Sequence, residues 1–410
     1  MLSATAAETV RSTLPIIGSR IDEITPIFYR RMFAAHPELE RDLFNRGNQA
    51  QGDQQRALAG AIAAYATLVV SEEQPDVDAL LSRIAHKHAS LGIAPDQYPI
   101  VHQHLFEAIA QVLGDAATPE VVTAWDEVYW DMAHTLIRIE KGLYSRFGVA
   151  PEEVWQDLVV IERRQESPDT VALVLARRDG EPLQQAQPGQ YISVQVTLPD
   201  GARQIRQYSL TRAPDSRSWG ITVKAVPAGV VDGTPVPAGE VSNFLHDNVF
   251  EGDLLHCSLP FGDLVLEDRA DPLLLVSAGI GCTPIIGMLH HLARTGSDRP
   301  VTVVHADRSP ARHAHRQELA ELVQRIPDAR LHHWYEDLGV RPTSETVQRG
   351  RIDLDAAHVD PEAQVYLCGP LPFMELVRGR LAGHGVPESH IHYEIFGPDT
   401  WVPHAESAAV

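Results

Sequence analysis

The chain is poor in cysteine. Its 410 residues include only Cys257, Cys282 and Cys368, which lie far apart, are odd in number and show no CxxC spacing. A disulfide framework and a cysteine-built zinc site are thereby excluded, and a reducing cytoplasm is the expected setting. Basic residues are also scarce: 34 Lys and Arg stand against 55 Asp and Glu, a formal net charge of -21. That balance argues against nucleic acid or an anionic membrane surface as the main partner, while leaving room for a local basic pocket that holds phosphates. No apolar run approaches the ~18 residues of a membrane-spanning helix, so no span is expected. Met1-Leu2-Ser3-Ala4-Thr5 is not a basic segment leading into an apolar one, and no secretory leader is expected. Internal repeats are missing, and a short polar C-terminal tail is the one low-complexity feature.

What is present fits a globular protein with real cores: 44% of the residues are hydrophobic and 22% charged. At ~150 residues per domain the length points to two or three domains. From Thr5 to Phe147 the periodicity is helical and strand-like alternation is scarce. Ser3 reads as an N-cap, and Pro15, Pro26, Pro37, Pro75, Pro95 and Pro119 are expected to punctuate the segments. The centre is Leu80 to Leu91. Leu81, Ile84, Ala85 and His88 stand at i, i+3, i+4 and i+7 on one apolar face, while His86 is placed near the polar side with Arg83 and Lys87. An inward imidazole is either a hydrogen-bonded core histidine, the commoner use, or a ligand.

Three other helical stretches bear on that choice. Ile24 to Ala34 carries one polar tip, Tyr29, either a core tyrosine or a phenol that donates to a bound molecule. Gln54, Leu58, Ile62 and Tyr65 share a face after a break at Gly52. Val121 to Tyr144 has Glu140 beside its apolar stripe, as a solvated rim acid or as the acceptor for an inward imidazole. His102 and His104 are read as structural or solvated.

These runs resemble the globin domain of the bacterial flavohaemoglobins, through Phe28-Tyr29-Arg30-Arg31-Met32-Phe33, His36-Pro37-Glu38-Leu39, Gly52-Asp53-Gln54, Ala61-Ile62-Ala63-Ala64-Tyr65-Ala66 and Lys87-His88-Ala89-Ser90. The resemblance implies haem b with His88 as proximal iron ligand. It also implies Tyr29 and Gln54 over bound dioxygen, Phe44 wedged against the porphyrin, Leu58 shaping the distal pocket, and Tyr98 with Glu140 orienting the imidazole. A carboxylate on the far nitrogen of a ligating histidine raises its donor strength, and stronger donation favours dioxygen activation over storage.

Gly148 to Glu153 breaks the composition, and the period then changes to two. Ile192, Val194, Val196 and Leu198 alternate with polar residues, and turn signals such as Pro199-Asp200-Gly201 separate short strands, predicting an antiparallel barrel. Within it, Arg206-Gln207-Tyr208-Ser209 puts a guanidinium suited to pyrophosphate on the face of a phenol suited to stacking, with Ser209 able to bond a ring heteroatom. Gly189-Gln190-Tyr191 precedes it. Gly239 to Leu245 follows, where a glycine before a helix start offers free N–H groups to phosphate. Pro227 to Ala238 is expected to be a surface loop. The order resembles the ferredoxin-reductase family and implies FAD, with Tyr191 and Gln207 joining the flavin contacts.

Glu267 to Pro272 marks a second break. Leu273-Leu274-Leu275-Val276-Ser277 reads as a buried parallel strand. It runs into Ala278-Gly279-Ile280-Gly281-Cys282-Thr283-Pro284 and a helix, the strand, glycine turn and helix that a dinucleotide site requires. Val301 to Ala306 and Gln364 to Pro370 are further strands, and alternation with helices predicts a doubly wound α/β sheet with its ligand at the strands' carboxyl ends. The two motifs resemble the same reductase family's NAD(P) domain, as does the run Glu394-Ile395-Phe396-Gly397-Pro398. There Phe396 would cover the flavin and Glu394, with Lys87, would lie near the flavin–haem gap. Asp307 and Arg308 leave NADH and NADPH both open.

The expected order is therefore a globin domain over 1–147, an FAD barrel over 148–266 and an NAD(P) domain over 267–410. Together they imply a monomeric nitric oxide dioxygenase that takes dioxygen, nitric oxide and NAD(P)H. The alternatives are a flavin reductase whose globin domain senses or stores gas, and a three-domain protein with a core His88 and no haem.

Overall fold

The computed structural model describes residues 2–71, 76–212, 217–231 and 233–397. The described residues divide into two compact units: those within 1–155 with 199–205 and 397, and those within 156–198 with 206–396.

The first unit is helical: α1 (Ala4–Ala35), α2 (Pro37–Asp42), α3 (Arg46–Gln51), α4 (Asp53–Val69), α5 (Val77–Leu91), α6 (Tyr98–Leu113) and α7 (Pro119–Phe147). Ser3 caps α1 as expected, its hydroxyl accepting from Ala6 N at 3.2 Å. Pro15 and Pro26 do not punctuate; both lie inside α1. An interior proline costs about 3 kcal/mol. The helix continues because Val10, Ile17, Ile24, Phe28 and Met32 recur at intervals of seven and four, and all are buried in one core. Burial of such side chains is worth about 1.5–3 kcal/mol each. Pro37 and Pro119 do open helices, and Pro95 opens a short 3-10 turn before α6. Pro75 lies outside the described residues. Asp76 starts α5 by accepting from Ala79 N at 2.9 Å, and Gly92 ends it with φ +75. A Cβ on Gly92 would stand 2.7 Å from the Pro151 carbonyl, so no other residue fits.

The second unit holds two sheets, except that Trp155 and Arg203–Ile205 at the ends of two strands belong to the first. The strands β1 (Trp155–Ser167), β2 (Thr170–Ala176), β3 (Tyr191–Thr197), β4 (Arg203–Ser209), β5 (Trp219–Lys224) and, after a short hairpin and a helix, β8 (Leu254–Ser258) form a sheet in the order β4-β3-β8-β1-β2-β5. Neighbours β1 and β2, β2 and β5, and β3 and β8 run antiparallel. Thr211, just beyond β4, donates its N–H to the Gly220 carbonyl of β5 at 2.8 Å and draws the two ends of the sheet together. Ile192, Val194, Val196 and Leu198 are all buried, as their alternation predicts. The stretch expected as a plain loop, Pro227 to Ala238, instead contains the antiparallel hairpin β6 (Gly229–Val231) and β7 (Thr234–Val236). Helix α8 (Glu240–Asn248) follows directly after Gly239.

The other sheet is parallel throughout, in the order β12-β11-β10-β9-β13-β14, built from β9 (Leu273–Ala278), β10 (Val301–Asp307), β11 (Ala329–Tyr335), β12 (Val347–Arg349), β13 (Gln364–Cys368) and β14 (Ile391–Glu394). Helices α9 (Cys282–Thr295), α10 (Arg316–Gln324) and α11 (Leu371–Gly383) make the connections. Chain order reverses across β9, which has β10 on one side and β13 on the other. The crevice at their carboxyl ends is where such sheets bind ligands. Leu264 and Leu266 also pack into this sheet's core.

An ion-pair junction ties the two sheets together. Arg164 of β1 bonds Glu166 at 2.7 Å and Glu318 of α10 at 3.1 Å. Glu318 also bonds His315 and His290, each at 2.7 Å, and His315 bonds Thr222 of β5 at 2.7 Å. Glu166, His315 and Glu318 are close enough to surround a cation, but the Arg164 guanidinium already pairs with both carboxylates. Burial opposes ionisation of Glu318; the bonds from His290 and His315 outweigh it and hold its carboxyl well below the usual glutamate range. A depressed native pKa stabilises above the unfolded value and loses that stabilisation as pH falls towards the native one. Glu318→Gln is therefore expected to cost on the order of 1–3 kcal/mol at neutral pH. The gap from wild type should narrow below about pH 4.5. Urea unfolding at pH 7 and pH 4 checks this; a gap that is absent or widens in acid would contradict it.

Candidate functional site

His88 lies in the last turn of α5, which Gly92 terminates, with Leu81 and Ala85 of the same face fully buried. His86, expected near the polar side, is instead 9% exposed. A helix walled on more than one side buries a wider arc than its apolar stripe alone predicts. The Nδ1 of His88 lies 2.8 Å from Glu140 Oε1 of α7 and 3.1 Å from the Tyr98 hydroxyl of α6. Tyr98 donates to the same Glu140 oxygen at 2.6 Å. Glu140 is 2% exposed, so these donors are what make a buried carboxylate tolerable. Burial and the neighbouring Glu140 charge push the Tyr98 phenol well above its usual range, which keeps it a donor. The backbone that carries Tyr98 is held in turn, its carbonyl accepting from Tyr129 at 2.7 Å.

This geometry selects the tautomer. A carboxylate facing Nδ1 puts the proton there and leaves the lone pair on Nε2. Nε2 makes no hydrogen bond among the described residues, and the side chain is 32% exposed rather than sealed in the core. Half-buried Phe44, Leu58, Leu80, Ile84 and Ile93 pack around the same core. An imidazole with a fixed free lone pair among apolar side chains is the donor set that haem iron takes.

Tyr29 is 4% exposed and stands among rings: Phe28 at 4.6 Å, Phe33 at 5.6 Å and Phe44 edge-on at 5.9 Å. Burial pushes its phenol above the usual range, and a hydrogen bond with the Gln54 side chain opposes that shift. Tyr29 and Gln54, far apart in the chain, therefore meet. Leu58, one turn beyond Gln54, packs on the same core.

Strand β4 brings Arg206, Gln207 and Tyr208 together half-exposed, with Ser209 buried behind them. Gln207 Nε2 donates to Ser193 Oγ at 2.8 Å. Tyr191 is buried and bridges to Phe261. At the start of α8, Asn243 Nδ2 bonds the Gly239 and Val226 carbonyls at 2.8 and 2.7 Å. A guanidinium, two phenols and a helix N-terminus are the groups a flavin dinucleotide needs.

Gly279, Ile280 and Gly281 form a 3-10 turn between β9 and α9, and buried Cys282, Thr283 and Pro284 make the helix's first turn. A Cβ on Gly281 would fall 2.4 Å from the Cys368 carbonyl, so the two motif loops touch backbone to backbone. In β14, Glu394 is paired in register with Cys368 and is 8% exposed. Ile395 is half-buried, Phe396 is 49% exposed and Gly397 is exposed. Pro398 lies outside the described residues. Lys87 and Glu394 belong to different units.

Two groups of residues escaped the sequence reading. Gln204 is fully buried although strand alternation gives no sign of it. His305, His313 and His333 gather at the ends of β10 and β11, the first two stacked with ring centroids 3.8 Å apart. They come from two strands and a loop, and no linear spacing joins them.

Family models match three consecutive stretches: globin over residues 27–136, the oxidoreductase FAD-binding domain over 157–265 and the oxidoreductase NAD-binding domain over 275–379. The flavohemoprotein of Rhizobium meliloti (strain 1021) is 40% identical over 416 residues, which is 97% of this chain and 99% of its own. The crystal structure of a flavohemoglobin from Malassezia yamatoensis with bound FAD and heme covers 97% of this chain and 100% of its own, with a TM-score of 0.85 at 36% identity. The FAD/NAD binding domain of nitric oxide dioxygenase from Vibrio cholerae O1 biovar El Tor is similar over 59% of this chain and 99% of its own, with a TM-score of 0.53 at 37% identity. With a helical globin domain for haem, an antiparallel FAD-binding domain and a parallel-sheet NAD-binding domain in that order, this chain belongs to the flavohemoprotein family of oxidoreductases.

Proposed function

We propose that this flavohemoprotein is a nitric oxide dioxygenase that uses NAD(P)H, dioxygen and nitric oxide. The observation that carries the reading is the bond from His88 Nδ1 to buried Glu140, which suits oxygen chemistry rather than oxygen storage. The likeness to the Vibrio cholerae domain supports it. When bound, the cofactors supply hydride transfer from NAD(P)H to FAD, single electrons from FAD to haem, and the site where dioxygen and nitric oxide become nitrate.

The chain's own residues hold and polarise these groups. His88 would hold iron through Nε2, and Glu140 with Tyr98 keeps the imidazole's proton on Nδ1. Tyr29 donates its hydroxyl to the small ligand, Gln54 orients that hydroxyl, and Phe44 and Leu58 keep water out. Arg206 neutralises the flavin pyrophosphate. Tyr191, Gln207, Tyr208 and Ser209 fix the ring system, and Phe396 and Gly397 close over it. The Gly279–Pro284 turn takes the nicotinamide dinucleotide. Lys87 and Glu394 would assist electron transfer from flavin to haem, and Ile395 would join the flavin contacts. The three domains span 1–147, 148–266 and 267–410.

One nitric oxide, one dioxygen and one electron make one nitrate, so each hydride supports two. Under oxygen and nitric oxide the holoenzyme is expected to give about two nitrate per NAD(P)H; NAD(P)H oxidation without nitrate would overturn the assignment. Tyr29→Phe should release dioxygen at least about tenfold faster, the factor a hydrogen bond to a charge-bearing ligand is worth. An unchanged dissociation rate in stopped flow would remove Tyr29 from the distal role.

A further inference from the structure

The corner between α2 and α3 carries Phe44, yet both helices have only six residues. Helices this short cannot satisfy their own ends: the last carbonyls of α2 and the first N–H of α3 need outside partners. One side chain supplies several of them. Gln204, fully buried and placed in the helical unit with Pro199–Ile205, donates through Nε2 to the Arg41 carbonyl at 3.0 Å and the Phe44 carbonyl at 3.1 Å. The Glu40 carbonyl lies at 3.4 Å, and Oε1 accepts from Arg46 N at 3.3 Å. Flanking residues of the same segment brace the corner. Arg203 meets Asp42 through its backbone N–H at 3.1 Å and its guanidinium at 2.8 Å, and Asp200 pairs with Arg46 at 2.7 Å.

The backbone of Phe44 is therefore pinned from both sides, its N–H bonded to the Leu39 carbonyl at 2.9 Å and its carbonyl to Gln204. Its ring stands edge-on to Tyr29 at 5.9 Å and to Phe33 at 5.3 Å. A displacement of the corner would move that ring, and the Tyr29 phenol is packed against it.

We propose that Gln204 is a positioning residue for the distal pocket: a carboxamide on the strand that carries the Arg206–Ser209 flavin motif sets the Phe44 ring and, through it, the Tyr29 phenol. This rests on the assignment of Tyr29 and Phe44 to the ligand side of the haem. It gives β4 two duties, with Gln204 and Arg206, two positions apart, serving different cofactors.

The test uses the holoenzyme with full FAD and haem content. Gln204→Met removes every polar atom at similar length; Gln204→Glu keeps the acceptor for Arg46 N–H and sets a carboxylate oxygen against the Arg41 and Phe44 carbonyls, so one variant remains informative if the other does not fold. Each is expected to speed dioxygen release from the ferrous protein by about two- to tenfold, the factor one net hydrogen bond is worth. Combined with Phe44→Leu, the effect should be strongly non-additive, because both act through one ring. A release rate equal to wild type, or a purely additive double variant, would overturn the proposal even if the melting temperature drops. Tyr29→Phe in parallel separates the two claims. If it changes the rate and Gln204 does not, only the positioning role fails. If neither changes it, the distal assignment fails.

Discussion

A carboxylate that is 2% exposed needs donors, and Glu140 has two, the Tyr98 hydroxyl and the His88 Nδ1–H, converging on one oxygen. Three helices are held to that oxygen, one group from each of α5, α6 and α7. Removing either donor would strand a buried charge, so the arrangement is stable as a set. Its chemical consequence follows from the same constraint. With the proton kept on Nδ1, the Nε2 lone pair is available, and negative charge behind the ring makes it the stronger donor that the proposed role as iron ligand calls for. Structure and reactivity thus rest on one oxygen atom.

The FAD-binding and NAD-binding domains are built differently, one on an antiparallel sheet and the other on a parallel one. The parallel sheet places its glycine turn where chain order reverses across β9, and close contact of Gly281 with the Cys368 carbonyl fixes the two motif loops as one surface. The junction of Arg164, Glu166, Thr222, His290, His315 and Glu318 joins the two sheets through ion pairs and hydrogen bonds.

Much of this was legible in the linear chain because local chemistry leaves local marks. Period two in Ile192 to Leu198, the apolar run before Gly279, and the seven-residue spacing from Leu81 to His88 each follow from a repeating geometry, and each appears in the structure as expected. Family resemblance added what periodicity cannot, the pairing of Glu140 with His88 across 52 positions. What stayed hidden depends on non-local packing. Two prolines inside α1 look like breaks until the buried row from Val10 to Met32 is seen to outweigh them. His86 looks solvated until neighbouring helices cover it. Gln204 carries no mark in the sequence, and only the fold shows that it caps two helix ends.

The central claim, that a buried carboxylate strengthens the proximal histidine, is tested most directly by the iron–histidine stretch in the resonance Raman spectrum of the ferrous protein, comparing wild type with Glu140→Gln. Loss of the negative charge should lower that frequency, since a neutral acceptor polarises the imidazole less. An identical frequency in the two proteins would contradict the account.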